Sequence, residues 1–141
     1  MTSRRIVVDA NILIRAVLGV RVRQLIARYG TGISIFAPEI AFTDAARYLP
    51  VIASKRSADP VTLLATLDQL HLLVETVPDD ILEPLRDVAL KRIGYRDPMD
   101  WPYVAAAMAL NCPIWTEDND FFGSGIPTWT TGNVEIYLSG E

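Results

Sequence analysis

The sequence predicts a three-layer α/β/α fold with a mainly parallel central sheet of about five strands. Three observations carry this. Short segments rich in β-branched and other apolar residues recur at residues 6–8, 33–36, 71–75, 113–115 and 126–129. Between them lie longer stretches with apolar residues at helical spacing, and capping residues, Pro or Gly stand at the junctions. Strands that alternate with helices are the pattern of parallel α/β units. All 141 residues read as one domain, with no linker, repeat or low-complexity segment.

Each element follows from local chemistry. Ile6, Val7 and Val8 are apolar without alternation, as expected of a strand covered on both faces. Asn11 is positioned to cap the helix that carries Ile12, Leu13, Ala16 and Val17, and Gly19 interrupts it. A second helix is expected over 20–29, stopped by Gly30 and Gly32. Pro38 ends the strand over 33–36 and opens a helix near Glu39, which leaves Asp44 inside that helix rather than at its cap. Asp59-Pro60 reads as an N-cap followed by Pro in the first turn, opening a helix through Leu70. The third strand is expected over 71–75. A further helix begins after Pro78 and runs through Leu85 and Ile93 to Gly94. The apolar run 104–110 is the next helix, followed by a strand over 113–115. Pro127 makes the last strand, 126–129, a sheet edge, and a short helix over 134–138 closes the chain.

The totals exclude several classes. Half the residues are hydrophobic and 21% are charged, a composition that fills a globular core. One cysteine, Cys112, cannot form an internal disulfide; with no signal-peptide pattern at the first residues, a reducing cytoplasm is the expected location. No run approaches the roughly 20 apolar residues of a membrane span. A net charge of −4 argues against nonspecific coating of nucleic acid but leaves room for a local patch. Arg supplies 11 of the 13 basic residues, and its planar fork suits phosphate.

The chemistry lies in the carboxylates. In a parallel sheet, functional groups gather beyond the carboxyl ends of the strands. Asp9 directly follows the first strand, Asp118 follows the fourth by three residues, Asp100 stands at the start of the helix leading into that strand, and Asp44 lies near the start of the helix after the second. All four are therefore expected on one rim. Four carboxylates together repel one another, and a hard divalent cation removes the conflict. Such an ion, Mg²⁺ by its preference for oxygen ligands, acidifies a bound water and stabilises charge on a phosphoryl oxygen, so no covalent nucleophile is needed. Helix capping is the competing use of these acids. Asp97 and Asp100 precede an apolar run, and either can cap it. Pro102 separates them: an N-cap at Asp97 places Pro102 fifth in the helix, where it loses a hydrogen bond, whereas an N-cap at Asp100 places it in the first turn. Asp118 is nearer the strand end than Asp120, which reads as a loop acid. His71, Cys112, Trp115 and Trp129 read as structural, while Trp101 stands beside the site.

Taken together, Val7-Val8-Asp9-Ala10-Asn11-Ile12-Leu13, Pro38 followed by Asp44, Asp97-Pro98-Met99-Asp100-Trp101-Pro102-Tyr103-Val104-Ala105-Ala106-Ala107, and Trp115-Thr116-Glu117-Asp118-Asn119-Asp120-Phe121 resemble the ordered signature of PIN domains over nearly the whole chain. The resemblance implies a Mg²⁺- or Mn²⁺-dependent ribonuclease with RNA as substrate. Residue by residue, Asp9, Asp44, Asp100 and Asp118 match the acidic site; Asn11 and Thr116 match the polar residues that support it; Asp97 and Asp120 match accessory acids. Stand-alone bacterial PIN domains of this length are similar to VapC-like toxins, so the resemblance also implies a homodimer and a small antitoxin protein as partner. One departure is plain: the second acid of the family is usually Glu, and here it is Asp44, one methylene shorter. Glu39 does not replace it, because five helical residues turn it well away.

Two readings follow. In the first, Asp9, Asp100 and Asp118 hold the cation, Asp44 positions water, and Arg15, Arg47 and Arg96 meet the RNA phosphates. In the second, the shortened Asp44 marks a catalytically impaired scaffold that binds RNA or protein. A phosphotransfer domain of the receiver or haloacid-dehalogenase kind is disfavoured, since Asp9-Ala10-Asn11 lacks a second Asp and no Lys follows the late strands.

Overall fold

A computed structural model describes residues 4–94 and 96–140. Five parallel strands form one sheet in the order β3-β2-β1-β4-β5: β1 (Arg4–Val8), β2 (Ile33–Pro38), β3 (Val74–Val77), β4 (Ile114–Trp115) and β5 (Thr128–Trp129). The central strand is β1, and its Ile6, Val7 and Val8 are fully buried, as a strand covered on both faces requires.

The chain moves outward from β1 to β2 to β3, then returns past β1 to β4 and β5. A right-handed crossover travelling one way lays its helices on one face; travelling the other way, it lays them on the opposite face. The helices divide accordingly. On one side α1 (Ala10–Leu18) packs on α2 (Arg21–Tyr29), α3 (Glu39–Lys55) and α4 (Pro60–Leu70). On the other, α7 (Trp101–Leu110) packs on β1, β2 and β4, with α5 (Asp79–Leu82) and α6 (Arg86–Ile93) against it. The C-terminal helix α8 (Val134–Ser139) contacts α2. Among the described residues, no helix is long and apolar enough to cross a membrane.

Helix α7 is apolar around its whole circumference, and Pro102 through Ala107 are buried. Its three consecutive alanines, Ala105, Ala106 and Ala107, let its backbone lie close to the central strands. At the start of α4, Asp59 accepts the Val61 N–H at 3.1 Å and Pro60 occupies the first turn, as the sequence leads one to expect. Asp59→Ala is expected to lower stability by about 1 kcal/mol, measured by urea unfolding.

Three expectations are corrected. The third strand is Val74–Val77, not 71–75: residues 71–73 form the turn after α4, with Leu72 87% exposed, so its apolar character reflects no burial. The helix expected from Pro78 to Gly94 is broken into α5, a 3-10 turn over Glu83–Leu85 and α6, because Pro84 has no N–H to continue the ladder. The cap of α1 is Asp9 rather than Asn11, which is exposed within the first turn.

Candidate metal centre

Strand order reverses between β1 and β4, and the crevice beyond their carboxyl ends is where a doubly wound sheet binds ligands. Val8 pairs in register with Trp115, so the next residues, Asp9 and Thr116, lie side by side. Asp9 is 6% exposed. Its Oδ1 accepts the Ile12 N–H at 3.0 Å, and its Oδ2 accepts the Thr116 hydroxyl. Thr116 Oγ1 in turn accepts the Asp118 N–H at 2.9 Å, and Asp118 Oδ1 accepts the Asp120 N–H at 2.9 Å. One hydroxyl therefore ties the end of β1 to the acidic turn after β4. Thr116→Val should cost roughly 1–3 kcal/mol by removing one of the two donors to a buried carboxylate, measured by denaturant unfolding.

The other half of the rim is built at the start of α7. Asp97 accepts the Met99 N–H at 3.0 Å and caps a 3-10 turn, Pro98–Asp100, that leads straight into the helix. Asp100 occupies the N-cap position of α7, and Pro102 falls in the first turn. Yet its carboxylate caps nothing: Oδ2 is buried without a hydrogen-bond partner. Arg96 donates to the Asn119 carbonyl and so joins the Asp97–Asp100 segment to the Asp118–Asp120 turn.

These positions decide how the acids group. Among the described residues, Asp97, Asp100 and Asp120 are the set of three that can bring carboxylate oxygens within 4.8 Å of one another. Asp9 and Asp118 stand outside that set, but both act on Asp100 through their charge. Asp44 is held differently, in an ion pair with Arg47 one turn along α3, at 3.1 Å.

Electrostatics reflect the crowding. Burial, with the charges of Asp118 and Glu117 outweighed in part by the Thr116 and Ile12 hydrogen bonds, lifts the Asp9 carboxyl to about 6. Burial, followed by repulsion from Asp97, Asp118, Asp9 and Asp120, lifts Asp100 to about 7. Burial also pushes the Cys112 thiol up to about 11, which leaves it protonated and no nucleophile.

Of the arginines named from sequence, Arg47 is engaged by Asp44 and Arg96 by Asn119. Arg15 is exposed on α1. Trp101, beside the site, carries the Arg86 guanidinium over its ring at 5.5 Å. The sequence alone assigns no role to Tyr103, which stands just before the apolar run 104–110. Its spacing, three residues after Asp100, was the available signal: that interval puts both on one helix face.

Comparison with known structures agrees with the fold. PAE2754 from Pyrobaculum aerophilum is 16% identical, with 98% of this chain and 91% of that one aligned at a TM-score of 0.72. VapBC2 from Rickettsia felis, solved bound to a DNA fragment from its promoter, is 13% identical over 89% of this chain and 98% of that one, with a TM-score of 0.64. No curated protein matches the sequence. A family model does, over residues 7–139, a span that takes in the β1 end, both acidic segments and every strand but the first residues of β1, and the chain belongs to the PIN domain family.

Proposed function

We propose that the protein is a divalent-metal-dependent endoribonuclease of the cytoplasm, and the toxin half of a toxin–antitoxin pair. The observation that carries this reading is Asp100 Oδ2, a buried carboxylate oxygen with no donor, set among further acids. Such an oxygen is compensated by a proton or by a cation, and a cation relieves the neighbouring acids as well. The donors around it are all carboxylates, a hard-oxygen set that fits Mg²⁺ or Mn²⁺.

In this reading Asp9, Asp100 and Asp118 would hold the ion, Asp97 and Asp120 lie nearest Asp100, and Asp44 orients the attacking water. When bound, the ion supplies a Lewis acid for the phosphoryl oxygen and acidifies water. The chain's own residues do the rest. Thr116 holds Asp9 in one orientation, Arg96 holds the two acidic segments together, and Arg15 is free to meet RNA phosphate. Family membership and the likeness to VapBC2 support a small antitoxin as partner. The exposed Tyr48, Val51 and Val61 on α3 and α4 support a second copy of the chain as the other.

Purified protein incubated with single-stranded RNA should cut it in Mg²⁺ or Mn²⁺, and neither with EDTA nor as Asp9→Asn. Cleavage that survives both changes would overturn the proposal. The ion pair that occupies the short Asp44 favours the second reading, a non-catalytic scaffold; that reading requires intact partner binding and no divalent-ion binding at millimolar concentration.

A further inference from the structure

Charge is unevenly placed along the chain. Residues 10–38 hold four arginines, Arg15, Arg21, Arg23 and Arg28, and no acid, although the whole chain carries −4. That segment forms α1, α2 and β2, so the helices that follow the end of β1 make a basic flank beside an acidic rim.

A groove of about 580 Å³ is cut into this flank, where the end of α1 and the start of α2 meet α3. Its walls include the aliphatic Ile14, Leu18, Val20 and Ile52, and Val20 is 64% exposed. Arg15, Arg21 and Arg56 stand around it. Arg21 pairs with Glu135 at 3.3 Å. Arg15 and Arg56 are exposed and, among the described residues, take part in no ion pair.

The groove also borders the acidic site. Thr131 lines it; the Thr131 N–H donates to Glu117 Oε1 at 2.7 Å, and its hydroxyl accepts the Trp115 indole N–H at 3.1 Å. Glu117 stands between Thr116 and Asp118 in the turn after β4. Arg15 lies six residues beyond Asp9, a rise of about 9 Å along α1. One strand can therefore reach both the rim and the groove.

Chemistry selects the occupant. Two free guanidiniums over aliphatic walls suit a ligand with anionic links and a flat apolar face. A nucleotide has both: Arg forks bind phosphate, and Arg planes stack on an unpaired base. An acidic peptide would share the charge, but continuity with the rim favours the RNA strand.

Resting on the ribonuclease reading above, we propose that this groove is a subsite for an unpaired nucleotide of the substrate RNA, away from the cleaved bond, with its phosphates on Arg15 and Arg56 and its base against Leu18, Val20 and Ile52. The subsite touches no reacting atom, so it governs which RNAs bind and leaves the chemical step alone.

Arg56→Gln tests this, since Arg56 is exposed at the end of α3 and its loss leaves the core intact. Lys91→Gln, exposed on α6 across the sheet, removes the same charge elsewhere. Fluorescence anisotropy in EDTA reads the binding of a long single-stranded RNA. Cleavage in Mn²⁺ reads kcat and KM on RNAs shortened stepwise from each end. Arg56→Gln should weaken binding by about tenfold and lower the slope of log Kd against log salt by about one. KM should rise about tenfold with kcat unchanged. On wild type, KM should jump by about tenfold when the nucleotide that reaches the groove is removed, and on Arg56→Gln that jump should vanish. Lys91→Gln should match wild type within about twofold. Equal losses in the two variants, or a jump that persists in Arg56→Gln, would overturn the proposal. So would RNA binding unmoved by Arg56→Gln while poly-glutamate binds wild type and not the variant, which would assign the groove to an acidic protein segment. Wild type that binds RNA but never cuts it would overturn the ribonuclease reading alone, because the anisotropy and its salt slope still judge the groove.

Discussion

Asp100→Asn should abolish RNA cleavage, by about 10³-fold, and at the same time make the metal-free protein more stable. The two effects share one cause. Asp100 carries a buried oxygen that no donor serves, and four neighbouring acids repel its charge. The neutral amide removes that repulsion without breaking a hydrogen bond of the buried oxygen. Because the side chain is only partly buried, solvent screening limits the gain to roughly 1–2 kcal/mol at pH 8. Activity lost and stability gained in one variant is the mark of a site strained by function, and it separates Asp100 from a helix cap, whose removal would destabilise. Denaturant unfolding in EDTA, beside a cleavage assay, reads both effects.

The second large effect is on the pH dependence of stability. Asp9 titrates at about 6 in the folded chain against an ordinary 3.8, and Asp100 at about 7. A carboxyl raised on folding binds its proton more tightly in the native state, so its favourable contribution is complete below about pH 4 and is lost as pH rises through 6 and 7. For Asp9 the loss amounts to roughly 3 kcal/mol at pH 8. Unfolding free energy in EDTA, followed from pH 4 to pH 8, should therefore fall more steeply for wild type than for Asp100→Asn. Millimolar Mg²⁺ should flatten the wild-type slope, because a cation stabilises the ionised forms. Parallel curves for the two proteins would contradict the account.

Much of this arrangement was legible from sequence because it rests on short-range chemistry. Apolar segments without alternation located the buried strands, and β1 is central as that pattern requires. Asp59-Pro60 announced a helix start, and Pro102 assigned the N-cap position of α7 to Asp100. Acids immediately after strands had to share an edge, since parallel strands end on the same side. What was not legible depends on side-chain direction and tertiary contact. His71, Leu72 and Leu73 run into Val74 without a polar break, so pattern alone sets the strand three residues early. Asp9 rather than Asn11 caps α1 because the helix starts at Ala10, and only the β1–β4 register shows that the same carboxylate also meets Thr116. Linear distance from β4 ranks Asp118 above Asp120, yet the turn capped by Asp118 swings Asp120 toward Asp97 and Asp100.

The central claim is that this rim of acids is a divalent-cation site, and thermal unfolding of wild type and Asp100→Asn at pH 7.5, with and without Mn²⁺, tests it most directly. Wild type should start lower and rise with millimolar Mn²⁺, while Asp100→Asn should start higher and stay unmoved. Equal responses of the two proteins, or no response of wild type, would contradict it.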